Sequence, residues 1–124
     1  MAASYELLRL KSLPATSAIA NQFLFVKLDT NGGLVLCGSG DFSHGVTQDK
    51  PAAGDPTAFC SPGDITKVLC GGTFTAGQDV MSDASGQAVV AASSGSVLGT
   101  AITAGASAKL ATIVFMPKGA RGII

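Results

Sequence analysis

Residues 23–37 have the sequence FLFVKLDTNGGLVLC, and this stretch predicts a β-hairpin. Residues 23–28 form an apolar, partly aromatic run with the composition that strands favour. Residues 29–33, Asp-Thr-Asn-Gly-Gly, supply the Asn and Gly that accept the positive φ angles of a tight hairpin loop. Residues 34–37 are apolar again and predict the returning strand. An antiparallel sheet is therefore the expected centre of the fold.

The rest of the chain continues as short apolar runs separated by turn residues. The whole chain has 16 glycines and 5 prolines, which recur at intervals of about 8–12 residues, a spacing typical of β-sandwiches and barrels. No segment after residue 20 has sustained helical periodicity, although residues 75–81 are long enough for one helical turn. Gly99 lies inside an apolar run, where glycine often marks a bulge or a close backbone approach. Further strands are predicted near Val46 and at residues 57–60, 65–69, 73–75, 80–81, 88–92, 97–102 and 110–116.

These patterns predict an all-β fold: a small antiparallel β-barrel or sandwich, tulip-like or jelly-roll-like, with an extended N-terminal arm. We assign residues 1–20 to the arm and residues 21–124 to a single β-domain. Two interpretations of the arm stay open. It folds onto the subunit's own core as a short strand or helix, or it docks on a partner, since chain ends are ordered mainly when tied down. The candidate contact residues of the arm are Tyr5, Leu7, Leu8, Leu10 and Leu13.

The charge balance argues against nucleic acid as a direct partner. Eight basic and eight acidic residues give a net charge of zero, and no cluster of Lys and Arg is present. Proteins that bind nucleic acids neutralise phosphates and usually carry a basic patch. Charged residues make up 13% of the chain, against about 25% in an ordinary globular domain, while 47% of residues are hydrophobic. A chain this short has a large surface for its volume, so we expect it to bury apolar surface against other chains.

Neither a membrane segment nor a disulfide framework is predicted. No stretch reaches the roughly 18 apolar residues of a membrane span, and the N-terminus has charged residues where a signal peptide needs a continuous apolar core. Three cysteines without CxxC spacing argue against a zinc site. Cys37, Cys60 and Cys70 are expected to be small buried side chains made in a reducing cytoplasm. One disulfide with one free thiol is the alternative.

Three local patterns contain residue types that occur in chemical sites, but none predicts an enzyme, a cofactor site or a metal site. Asp41, Ser43 and His44 lie in one short segment, which does not easily form a nucleophile–base–orienter relay. Residues 38–40, Gly-Ser-Gly, lack the helix and the Lys-Ser/Thr of a phosphate-binding loop. Two acidic groups lack the spacing of a calcium loop, and turn capping is the favoured interpretation. These groups are Asp29 with Asn31 and Asp41, and Asp49 with Asp55.

Three long stretches resemble the small capsid decoration, or cement, proteins of bacteriophages. They are GGLVLCGSGDFSHGVTQDKPAAGDPTAF (residues 32–59), GDITKVLCGGTFTAGQDVMSDASGQAV (63–89) and VLGTAITAGASAKLATIVF (97–115). The resemblance lies in the pattern of turns and small residues. It extends over residues 30–116 and leaves the first twenty residues unmatched.

The resemblance implies a β-rich, non-enzymatic protein, commonly a trimer, on the outer surface of the virion. Such proteins bridge neighbouring major capsid proteins and stabilise the shell, and they are made in the cytoplasm of the bacterial host. Under this hypothesis the arm docks on the capsid or on a neighbouring subunit. The alternative is a receptor- or carbohydrate-binding module of a phage tail or fibre. One Tyr, no Trp and six Phe make a weak stacking platform for sugars.

Overall fold

The predicted hairpin forms the centre of the molecule. The computed structural model describes residues 11–92 and 94–118. In it, strand β2 (Phe25–Leu28) pairs antiparallel with β3 (Leu34–Leu36). Asp29 Oδ1 accepts hydrogen bonds from the backbone N–H of Asn31 (2.8 Å) and of Gly33 (2.9 Å), and Gly32 has a φ of 82°. The loop therefore closes as its residue types predict.

Ten short strands make up the regular structure of the described ranges, which contain no helix. The one helical turn considered for residues 75–81 is replaced by a turn and the start of a strand. Within the same ranges there is consequently no helix that could cross a membrane. The other strands are β1 (Lys11–Pro14), β4 (Gly45–Val46), β5 (Pro56–Phe59), β6 (Ile65–Leu69), β7 (Asp79–Ser82), β8 (Ala88–Val90), β9 (Gly99–Ala101) and β10 (Leu110–Phe115).

The strands form three antiparallel sheets. Their orders are β6-β10-β9-β7-β8, β3-β2-β4 and β1-β5. Single bridges connect the two smaller sheets, one between Thr47 and Phe59 and one between Ala15 and Leu34. The all-β fold class is thus confirmed, while the sheets do not close into a barrel.

Strand β2 separates two apolar cores because both of its faces are buried. Phe25 belongs to the first core, whereas Leu24 and Val26, on the opposite face, belong to the second. The first core includes inward side chains from all five strands of the large sheet. These are Val68, Val80, Ala88, Ala101, Ala111, Ile113 and Phe115.

The second half of the predicted arm is joined to the domain. Residues 11–14 form β1, which pairs with β5, and Ala15 and Ile19 are buried in the second core. Leu13 is half-buried and packs on that core. A boundary at residue 20 therefore does not separate these residues from the domain. Tyr5, Leu7, Leu8 and Leu10 lie outside the described residues.

Candidate functional site

The five-stranded sheet has a side that faces away from the first core and carries both apolar and polar side chains. Strand β10 shows the alternation clearly, since Ala111, Ile113 and Phe115 are buried and the residues between them are not. The register places outward residues of adjacent strands side by side. We call this surface the outer face. It consists of Ile65, Lys67, Asp79, Thr100, Ile102, Leu110, Thr112 and Val114.

The outer face combines large apolar side chains with very few charges. Leu110 is 48% exposed and Ile102 is 44% exposed, and Met116 continues the outward alternation of β10 at 44%. Its two charged residues lie on different strands, Lys67 on β6 and Asp79 on β7. Asp79 Oδ1 accepts a hydrogen bond from the Thr100 hydroxyl (3.0 Å). Large apolar side chains exposed on one side of a sheet often mark an interaction site.

A second exposed surface lies at the end of the three-stranded sheet. We call it the Phe42 patch; it consists of Leu28, Phe42 and His44. The Phe42 and His44 rings meet edge to face with centroids 5.4 Å apart, and His44 Nδ1 accepts a hydrogen bond from the Leu28 backbone N–H (3.3 Å). Leu28 is 42% exposed and Phe42 is 41% exposed. The rings and the leucine therefore form one compact apolar and aromatic group.

An ion pair lies beside this patch. Lys27 Nζ donates to Asp41 Oδ2 at 2.6 Å, with both side chains about one-third exposed. The hydrogen bond from Lys27, followed by that from the Gly38 backbone N–H, holds the pKa of Asp41 below its usual value. The pKa of Lys27 is raised by the same hydrogen bond. Both groups are charged at neutral pH and largely cancel one another.

The residues considered for catalysis have separate structural roles. The Ser43 hydroxyl has two backbone oxygens within donating distance, those of Val26 (2.9 Å) and Gly45 (2.8 Å), and it accepts a hydrogen bond from the Gly45 N–H (3.2 Å). Asp41 is engaged by Lys27, and His44 by Leu28. Each of the three side chains therefore has a hydrogen-bond partner of its own on β2.

In the Gly-rich segment and the first acidic group, backbone N–H groups and carboxylates are hydrogen-bonded within the chain. The N–H of Gly38 donates to Asp41 Oδ2 (2.8 Å), and that of Gly40 donates to the Ser82 carbonyl (2.9 Å), so these donors are not directed at a ligand. The hydroxyl of Thr16, then the amides of Gly33 and Asn31, lower the pKa of Asp29.

The second acidic group is likewise built into the chain. Asp49 accepts hydrogen bonds from the Thr57 hydroxyl and the Ala58 backbone N–H. Among the described residues there is no cluster of three or more His, Cys, Asp or Glu side chains suited to a metal. Turn capping is confirmed for Asp29, and Asp49 binds its own chain.

The cysteines are buried free thiols, as the first of the two interpretations predicted. Burial raises the pKa of Cys37 and of Cys60 to about 12, and it raises the pKa of Cys70 as well. Because the thiolate is the reactive form, all three should be inert at neutral pH.

We expect native protein at pH 7.5 to resist alkylation by iodoacetamide under conditions in which urea-unfolded protein takes up three labels. The reason is that folding removes both solvent access and the thiolate form. Intact-protein mass spectrometry measures the labels, and the unfolded sample serves as the control. Rapid labelling of the native protein at any of the three positions would contradict this burial.

The comparisons with known proteins give a family and a similar fold. Residues 10–116 match a family model described as phage cement protein. The chain belongs to the phage cement protein family. The earlier resemblance is thereby confirmed, and with it a structural role in decorating a phage head. No curated protein sequence matches the chain at a significant level.

The fold is also similar to that of a solved phage structure. The match is to the crystal structure of the head fiber gp8.5 N base in bacteriophage phi29. It has a TM-score of 0.68 and 19% sequence identity, and it covers 88% of this cement protein and 94% of the other chain. At that identity the likeness concerns the fold alone.

Neither the outer face nor the Phe42 patch was predicted from the sequence. The outer face had a usable signal, because β10 alternates Leu110, Thr112, Val114 and Met116 with buried residues. The Phe42 patch had none, because Phe42 and His44 lie in a loop and meet Leu28 only after the hairpin has folded.

Proposed function

We propose that this cement protein binds the outer surface of a phage head as a homotrimer. In this role it bridges neighbouring major capsid proteins and stabilises the shell. The family match over residues 10–116 is the observation that carries the proposal. Synthesis in the reducing cytoplasm of the host fits the three buried free thiols.

Two exposed apolar surfaces support a protein that binds more than one neighbour. The outer face belongs to the large sheet and the Phe42 patch to the three-stranded sheet, so one can contact the shell while the other contacts a second subunit. With a net charge of zero, the chain relies on shape and apolar area rather than on long-range attraction. A sugar-binding module is not favoured, since Phe42 is the one exposed large aromatic side chain in the described ranges.

The N-terminal arm remains our proposed anchor on the shell. The candidate contacts of the arm precede strand β1, which begins at Lys11 and pairs with β5. Tyr5, Leu7, Leu8 and Leu10 are the proposed contacts. Leu13 is a weaker candidate because it packs on the second core. Three arms on one trimer would multiply a modest single contact through avidity.

Purified protein mixed with undecorated shells is expected to bind saturably at defined lattice sites. A Leu7→Ser/Leu8→Ser variant should bind at least about tenfold more weakly, because each buried leucine contributes about 1.5–3 kcal/mol. Binding is measured by co-sedimentation with shells and by imaging of decorated particles. Val90→Ser, which removes an exposed apolar side chain in the domain, is the matched control.

The outcomes separate the parts of the proposal. Saturable binding by wild type with an unchanged affinity for the double variant would show that the arm is not the anchor. If wild type left shells bare at all concentrations, the decoration role of this chain would be wrong.

A further inference from the structure

The outer face carries opposite charges on two separate strands, Lys67 on the edge strand β6 and Asp79 on β7, next to the edge strand β8. One row of the register runs Ile65, Val114, Thr100 and Asp79 across strands β6, β10, β9 and β7. Lys67 lies in the next row on β6, opposite Thr112. Three strand spacings separate β6 from β7, so the cation and the carboxylate are about 14 Å apart across the sheet.

Apolar side chains occupy the space between these charges. Ile102 follows β9 and its N–H donates to the Thr112 carbonyl (2.8 Å), which places it beside β10. Of the six large hydrophobic side chains that are exposed in the described ranges, Ile102, Leu110 and Met116 lie on or next to this face. An apolar centre with charged groups at the rim is the usual anatomy of a protein interface.

We propose that the outer face binds a second copy of this chain, with Lys67 of one copy against Asp79 of the next. The inference rests on the self-association in the proposed function and adds the surface responsible for it. Opposite charges on separate strands of one face suit a head-to-tail contact that closes by rotation into a ring. Each copy then offers its Lys67 side to one neighbour and its Asp79 side to the other, and the apolar side chains between them are removed from water at the same time.

A partner with an unrelated surface explains this arrangement less well. Asp79 is half-buried and held by Thr100, whereas Lys67 is exposed, so the carboxylate is fixed in position before any partner arrives. A fixed acceptor and a mobile cation on the same chain can satisfy each other in every copy of a ring. The arm and the Phe42 patch then stay available to bind the shell.

The test measures the mass of free protein, without shells, by light scattering and analytical ultracentrifugation over a concentration series. Wild type is expected to associate. Lys67→Asp and Asp79→Lys should each raise the apparent dissociation constant by about tenfold or more, because like charges then face each other. The double reversal should recover most of the affinity, since it restores opposite charges. Circular dichroism checks that every variant is folded.

A second variant tests the apolar centre independently of the charges. Ile102→Asp should abolish association while the subunit stays folded, because the side chain is 44% exposed in the subunit. Val90→Asp is the matched control at 40% exposure, outside the face, and should associate like wild type.

Each outcome decides the proposal. Association that is lost in both single reversals and recovered in the double supports it. Wild type that stays monomeric, or Ile102→Asp and both single reversals that associate normally, overturns it. A monomer that still binds shells would leave the decoration role intact, and a dimer sensitive to the reversals would support this face while contradicting the trimer.

Discussion

Phe25→Ala is expected to destabilise the protein by about 3–5 kcal/mol, the usual cost of deleting a buried phenylalanine ring. Phe25 is fully buried in the first core, and its ring centroid lies 6.2 Å from that of Phe115 on β10. This contact joins β2 of the three-stranded sheet to β10 of the five-stranded sheet. Removing the ring leaves a cavity where the two sheets meet, and neighbouring strands cannot close it without breaking their pairings.

Urea unfolding followed by circular dichroism measures this loss as a lower midpoint with an unchanged slope. Phe42→Ala is the matched control, because the same atoms are removed from a ring that is 41% exposed. It should change the free energy of unfolding by less than about 0.5 kcal/mol, as is usual for surface positions. Equal effects at the two positions would contradict the division between core and patch.

The local features of the fold could be predicted because they are set by neighbouring residues. The 23–37 hairpin depends on an apolar run, the Asp29 cap and Gly32, all within a few positions of each other. Strands β6 and β10 also lie within the predicted runs, which turn residues delimit, and β5 is shifted by one residue from its predicted run. Short-range chemistry of this kind is visible in the sequence.

Long-range pairing could not be predicted from those patterns. Strand β1 joins β5 across some forty residues, and this pairing brings the second half of the predicted arm into the domain. Residues 11–14 are too few for their sequence pattern to show which strand they pair with. The same limit applies to the order of the sheets, where β9 lies between β10 and β7.

The candidate site shows the same contrast between features set by neighbouring residues and features set by long-range pairing. Asp41, Ser43 and His44 are neighbours in the sequence, and the structure adds that their partners Lys27, Val26 and Leu28 all come from β2. The outer face needs the register between β6, β10, β9 and β7 before Lys67 and Asp79 lie on one surface. Spacing along the chain carries no such information.

Gly99, the first residue of β9, is a position where a sequence signal also predicts a large effect. A mid-strand glycine indicated a bulge or a close backbone approach, and the structure confirms the approach. A Cβ at this position would lie 2.3 Å from the Val114 carbonyl oxygen of β10 and 3.3 Å from Ile113 Cδ1. The nearest atom belongs to a paired backbone, so it cannot move aside as a flexible side chain does.

Gly99→Ala is therefore expected to destabilise the protein by about 3 kcal/mol, at the upper end of the cost of overpacking. Relief requires β9 to move away from β10, which breaks the pairings of Gly99 with Phe115 and of Thr100 with Val114. Gly72→Ala is the matched control, because its new Cβ would have an ordinary 3.5 Å contact with Val89 Cγ1. Thermal unfolding of the two variants should give a clear drop in midpoint for the first and almost none for the second. Equal midpoints would mean that β9 and β10 are not packed this closely. Since Thr100 and Ile102 of the outer face follow Gly99 directly, the surviving folded fraction of Gly99→Ala should also associate more weakly than Gly72→Ala.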